Sequence, residues 1–178
     1  MESVQVLLEE YKTLRQEILT AMANRNSILS FGQASIGAIF TASIVTYKTA
    51  NYSVFSSLSL IFLIPTVVSF ILFMWIGEYQ RMQRAGKFLA QLEERINDES
   101  KQILLSWETS LRTNRLHMKY PYDTTVLLLT LISTVSVLIG LYSLHLSNAK
   151  LTPIIIVTLV IHYLVFVASV RKIKRLRA

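Results

Sequence analysis

The chain has 178 residues, of which 52% are hydrophobic and 16% charged, and 18 Lys and Arg against 11 Asp and Glu give a net charge of +7. A soluble domain of this size has no interior large enough to hide that much apolar surface, so the composition points to a membrane protein. With no cysteine, disulfides, thiolate metal sites and cysteine nucleophiles are excluded, and His117, His145 and His162 are too scattered to suggest a zinc site.

The opening MESVQVLLEEYKTLRQEI mixes charged and apolar residues and carries neither a signal-peptide core nor a cleavage site. Val4, Leu7, Tyr11, Leu14, Ile18 and Ala21 recur at alternating three- and four-residue steps, flanked by Glu9, Glu10, Lys12, Arg15 and Glu17. That spacing predicts an amphipathic helix with a heptad-like stripe. The stripe packs either in a short coiled coil or on the chain's own central segment.

Four windows follow that are free of Asp, Glu, Lys and Arg: residues 27–47, 54–77, 124–146 and 152–170. Each approaches the roughly 20 apolar residues that a helix needs to span hydrocarbon. One charge at mid-helix would cost about 2.5–3.5 kcal/mol on the insertion scale, so four clean windows are a strong signal. Lys12, Arg15 and Arg25 precede the first span; Arg81, Arg84, Lys87, Arg95, Lys101, Arg112, Arg115 and Lys119 lie between the second and third; Arg171, Lys172, Lys174, Arg175 and Arg177 follow the fourth. Only Lys48 and Lys150 fall in the two short connections, so 16 of the 18 basic residues lie on one side. The positive-inside rule assigns that side to the cytoplasm. The tail RKIKRLRA then reads as an anchor to anionic lipid, worth about 1 kcal/mol per basic residue.

In the central segment Met82, Ala85, Leu89, Leu92 and Ile96 repeat the heptad-like spacing, and no proline separates them from the second span. The second helix is therefore expected to run on for about five turns beyond the membrane. Asn97, Asp98, Glu99 and Ser100 break the pattern and supply capping groups for a new helix carrying Ile103, Leu104, Trp107 and Leu111. Glu108 stands four residues before Arg112, the favourable order for a helix pair, and Pro121 marks re-entry into the membrane.

The expected fold class is an all-α membrane protein with four transmembrane helices in two hairpins and a cytoplasmic helical layer. Its parts are a cytoplasmic amphipathic helix (1–26), a first hairpin (27–77), a cytoplasmic helical segment (78–121), a second hairpin (122–170) and a basic cytoplasmic tail (171–178).

Polar residues inside the spans fall on single helix faces. Asn26, Ser30, Gln33, Gly37 and Thr41 share one in the first span; Ser59, Thr66, Ser69 and Gly77 one near Pro65 in the second. Thr130, Ser133, Ser136, Gly140 and Ser143 form a third, and Thr158, His162 and Ser169 a fourth. Small and hydroxyl residues commonly hold membrane helices together, whereas the same faces can line a water-filled path. The candidate lining residues are Asn26, Ser30, Gln33, Gly37, Thr41 and His162, the last being the titratable group deepest in a span. The candidate cytoplasmic interface comprises Leu7, Tyr11, Leu14, Ile18, Met82, Leu89, Leu92 and Trp107.

Arg112 to His117 matches the Arg-x4-His pattern of HEPN-type ribonucleases in its two defining residues, but Arg112 is better explained by Glu108. With no Gly-rich phosphate loop, HExxH, GxSxG or acidic pair inside a span, the chain is read as non-enzymatic, with no catalytic, cofactor or metal residue.

LLEEYKTLRQEI before the first span, EYQRMQRAGKFLAQLEERIN after the second and SWETSLR before the third give the chain its family look, over much of the first 115 residues. In these segments it resembles small four-span bacterial membrane proteins, mostly uncharacterised, and it is similar in architecture to membrane effectors of anti-phage defence. The resemblance implies a homo-oligomeric ion channel or pore-type effector of the inner (plasma) membrane, gated through its cytoplasmic helices. Membrane lipids, further copies of the chain and a cytoplasmic regulatory protein or signalling nucleotide would be its partners; neither nucleic acid nor a cofactor is expected. The alternative is a non-conducting, membrane-anchored scaffold that recruits a cytoplasmic partner.

Overall fold

The computed structural model describes residues 2–48, 53–113 and 119–146, with positions 153, 156–157, 159–161, 163–165, 167–168 and 171. Among these the chain is helical and holds no strand. Helix α1 is Glu2–Lys48, α2 Ser53–Leu58, and α3 Ile64–Ser100, with a π turn at Ser59–Leu63; α4 is Trp107–Thr113 and α5 Lys119–Leu146. The described positions from 153 to 171 are also helical. Three stretches, Val4–Tyr47, Val54–Ser100 and Tyr122–His145, contain helix long and apolar enough to cross a membrane. The chain divides into two compact units, one of Met1–Ser27 with Gly77–Tyr122 and one of Ile28–Ile76 with Asp123–Ala178.

In the first unit the two heptad-like stripes meet. Leu7 packs with Leu92 and Ile96, supported by Leu8, Tyr11, Leu14 and Leu105, and Ile18 packs with Ala85 and Leu89, again beside Tyr11 and Leu14. The expected run-on of the second helix is present, since α3 continues without a break to Ser100. The expected break at Asn97 is not: the helix runs three residues further to Ser100, and Lys101 then takes a left-handed φ of 54°. Ile103 and Leu104, expected on the next helix, lie in the non-helical stretch before Trp107. Asn97 shapes that stretch from within the helix. Its Oδ1 accepts from the Leu104 and Leu105 N–H groups at 2.8 and 3.0 Å, and its Nδ2 donates to the Leu105 carbonyl at 2.7 Å. Three bonds from one side chain hold the loop in one shape, which leaves Leu105 in the core.

In the second unit large apolar side chains face outward as well as inward, where Ile61, Ile64, Leu72 and Trp75 are buried. On α5 the buried face holds Ser133, Ser136, Gly140 and Ser143, while Leu127, Leu131, Val135, Leu138 and Tyr142 are exposed. Large apolar side chains outward, with small residues among the buried Leu129, Val137 and Leu144, suit helices in lipid, where close backbone approach drives packing. Gly140 supplies that approach: a Cβ there would lie 2.9 Å from the Ser57 carbonyl and 2.6 Å from Ile61. The Ser57 hydroxyl donates to the Ser143 hydroxyl across this contact at 2.8 Å, and Gly32 of α1 gives the same latitude to Ile71. The π turn follows from Pro65, which has no N–H to offer the carbonyl of Ile61. The backbone widens just before it, with the Ile64 N–H bonding to the Ser59 carbonyl five residues back. The Thr66 hydroxyl donates to the Phe62 carbonyl at 2.7 Å.

Candidate functional site

Helix α1 presents two different faces along its apolar half. Gly32, Ile36 and Ser43 are buried, the last with its carbonyl accepting from the Ser56 hydroxyl at 2.7 Å. Ser30, Gln33, Gly37 and Thr41 are all exposed, as is Asn26 one turn earlier. A Cβ on Gly37 would meet nothing within 4 Å. With Ala34, Ala38 and Ala42, also exposed, these residues make a face that is small, uncharged and uncovered. The Thr41 hydroxyl donates to the Gly37 carbonyl of its own helix at 2.9 Å, so Gln33 carries the largest polar group on this face. The corresponding face of α5 has the opposite fate, with Ser133, Ser136, Gly140 and Ser143 all buried. His162, the remaining candidate lining residue, lies outside the described residues, as do Thr158 and Ser169.

Of the residues assigned to an interface, Leu7, Ile18, Met82, Leu89 and Leu92 are buried within the chain itself. Tyr11 and Leu14 are half-buried, and Trp107 is 56% exposed. Trp107 is capped on one side by the Arg15 guanidinium, 5.7 Å from its ring centre. Ile103 at 85% and Leu104 at 56% exposure stand beside it on the loop that Asn97 holds.

Sequence reading missed Glu93, the most constrained polar group of the first unit. It sits four residues after Leu89 and three before Ile96, directly on the apolar stripe of α3, and is fully buried. An acidic residue on an apolar stripe was the available signal. Its Oε1 accepts from the Glu108 N–H at 2.8 Å and the Tyr11 hydroxyl at 3.2 Å. Its Oε2 accepts from the Thr109 N–H at 2.9 Å and the Thr109 hydroxyl at 2.8 Å. One carboxylate thus satisfies two first-turn N–H groups of α4 and ties α1, α3 and α4 together. Burial pushes its pKa up, but the bonds from Glu108, Thr109 and Tyr11 outweigh this and hold it below the usual carboxylate value. The same burial raises the Tyr11 phenol, as does the Glu93 charge beside it.

Glu108 forms the expected pair with Arg112, Oε1 to Nε at 3.7 Å. Burial raises its pKa and the Arg112 charge opposes that rise. Arg112 also donates to the Gly86 carbonyl at 3.3 Å, a seat available because a Cβ on residue 86 would lie 2.5 Å from Glu108 Oε1. Nearer the apolar half of α3, the Arg81 guanidinium donates to Glu17 at 2.8 Å. Arg25 of α1 donates to the Tyr122 hydroxyl at 3.0 Å, and the Tyr122 ring lies 4.4 Å from that of Tyr79. Among the described residues no three of His, Asp and Glu are grouped to hold a metal ion. No protein-family model, curated protein or solved structure matches this chain.

Proposed function

We propose that this chain is the protomer of a homo-oligomeric membrane channel, crossing the bilayer four times with both ends and the 78–121 segment in the cytoplasm. The observation that carries the reading is the exposed face Ser30, Gln33, Gly37 and Thr41 of α1. Placed against lipid, the Gln33 carboxamide would lose its hydrogen bonds to water at a cost of several kcal/mol, about 4–8 on a hydrocarbon scale. A neighbouring copy, or water in a path shared between copies, removes that penalty. One 20.3 kDa chain with four spans has little room for an aqueous path inside it, so the path runs between subunits. In this reading a cytoplasmic signal acts on the helices of the first unit, whose α1 and α3 continue into the apolar half of the chain.

The test is the subunit number of the purified full chain, together with its conductance in planar bilayers. Gln33→Leu keeps side-chain size nearly constant and removes the polar group, so a lining position conducts less as the path dewets. Gly37→Leu adds bulk where the chain itself has open space, so it splits the oligomer while leaving the helical content of the protomer intact. A monomeric wild-type protein ends the channel reading. A second reading, a non-conducting scaffold, draws support from Ile103, Leu104 and Trp107, which a preformed loop and helix start hold exposed to a partner. An oligomer that never conducts, together with loss of partner binding in Ile103→Asp, would favour it.

A further inference from the structure

The second unit contains a cavity of about 270 Å³ between α3, α5 and the helical residues Leu159, Tyr163 and Val165. Its floor is formed by Val68, Leu72, Ser133 and Val137, all buried, and its mouth by Leu138 and Tyr163, 60% and 67% exposed. The volume is nearly twice that of an apolar protein cavity of about 150 Å³ that stays dry and takes up benzene.

Three hydroxyl groups of the lining, which would suggest a polar occupant by composition, are turned away from that role. Ser69 donates to the Pro65 carbonyl at 2.9 Å, Thr130 to the Val126 carbonyl at 2.7 Å, and Thr134 to the Thr130 carbonyl at 2.9 Å. With their protons committed to their own helices, they show the cavity mainly carbon. Leu138, at the mouth, belongs to the outward stripe Leu127, Leu131, Val135, Leu138 and Tyr142 of α5, so the opening is continuous with the apolar surface that meets the bilayer.

From this geometry we infer that the cavity is a binding site for one acyl chain of a membrane phospholipid, entering past Leu138 and Tyr163 and lying over Val68, Leu72 and Val137. A hydrocarbon chain fits a wall that is mainly carbon apart from the Ser133 hydroxyl and the Tyr163 phenol: it needs no hydrogen-bond donor, it removes a void that would otherwise forfeit dispersion contacts, and the adjoining bilayer supplies it. The site does not depend on whether the protein conducts.

The test uses the full-length protein in phosphatidylethanolamine and phosphatidylglycerol vesicles that contain a phospholipid with a diazirine midway along one acyl chain. After irradiation, adducts are mapped by peptide mass spectrometry. Labelling is expected on the floor, at Val68, Leu72 and Val137, as well as on the outward Leu131 and Val135. Val137→Phe fills the cavity and should lower adducts at Val68 and Leu72 about tenfold, the change expected when two methylene groups lose a buried seat. Adducts at Leu131 and Val135 should be unchanged, which also shows that the variant is folded and inserted. Ser133→Leu fills the same space from one turn earlier on α5 and gives a second variant with the same expected result. A wild-type floor that stays unlabelled while the outward stripe is labelled overturns the proposal and leaves the cavity to a protein segment. Floor labelling that neither filling variant reduces overturns it as well.

Discussion

Replacing Glu93 with alanine isolates the group on which the docking of α4 depends. The carboxylate accepts four hydrogen bonds while fully buried, and α4 is only seven residues long, too short to persist without tertiary support. A bond to a charged acceptor is worth about 1.5–3 kcal/mol, and a buried donor left unmet costs about 1–3 kcal/mol. The two hydroxyl donors, Tyr11 and Thr109, can turn to water, whereas the Glu108 and Thr109 N–H groups are fixed by the helix. Counting the two N–H groups and the loss of packing gives roughly 3–5 kcal/mol for Glu93→Ala. Against a typical domain stability of about 5–15 kcal/mol, that is enough to free α4 without unfolding the helix pair beneath it. Glu93→Gln keeps one acceptor oxygen but turns an amide toward the Thr109 N–H, so it should cost about 1–3 kcal/mol. Hydrogen exchange read by mass spectrometry resolves these outcomes. In Glu93→Ala the amides of 108 and 109 should lose about a hundredfold or more of their protection, with a smaller loss in Glu93→Gln. Amides around Leu89 in α3 should keep theirs. Unchanged exchange at 108 and 109 in Glu93→Ala would refute the capping role, and wild-type exchange in Glu93→Gln would show that charge plays no part in it.

The Glu93 pKa is lowered on folding, so its contribution is complete above the unfolded value of about 4.3 and lost as pH falls through the folded value. Glu108 runs in the opposite sense: its raised pKa gives a contribution present in acid that is lost as pH rises from about 4.3 through the folded value. Unfolding of Glu108→Gln, followed by Trp107 fluorescence in a Trp75→Phe background from pH 3 to 7, should therefore lack that decline and keep only the acid-side loss from Glu93. Gly140→Ala should destabilise by about 1–3 kcal/mol, because the new methyl meets the Ser57 backbone carbonyl. Gly86→Ala should cost less, since the group it meets is the mobile end of Glu108; thermal unfolding in detergent ranks the two, and the reverse order would be evidence against the packing at Ser57. For topology, single cysteines at Ser3, Ser100 and Asn148 in this cysteine-free chain should react with an impermeant thiol reagent on intact cells only at position 148. Labelling at position 100 from outside would overturn the cytoplasmic placement of the 78–121 segment.

Periodicity by itself settled which residues of the first unit would share a face. Leu7, Tyr11, Leu14 and Ile18 on one helix, and Ala85, Leu89, Leu92 and Ile96 on another, are spaced so that any helix must align them, and aligned apolar stripes bury each other. Three of the four charge-free windows likewise marked helices long and apolar enough to cross a membrane, and the four-residue spacing of Glu108 and Arg112 marked their pair. Tertiary structure alone decided what each face meets. The polar stripes of α1 and α5 are alike in composition, yet Ser133, Ser136, Gly140 and Ser143 are buried while Ser30, Gln33, Gly37 and Thr41 stand open. Small polar residues permit close packing without requiring it, so only the neighbouring helix distinguishes the two cases. The end of α3 escaped prediction for a related reason: Asn97, a residue that often breaks helices, uses its side chain to fold the following loop back on itself and stays helical. Glu93 is the clearest case. Its place on an apolar stripe is visible in the sequence, but the donors that make a buried carboxylate tolerable come from residues 11, 108 and 109, and only the folded chain brings them within hydrogen-bonding distance.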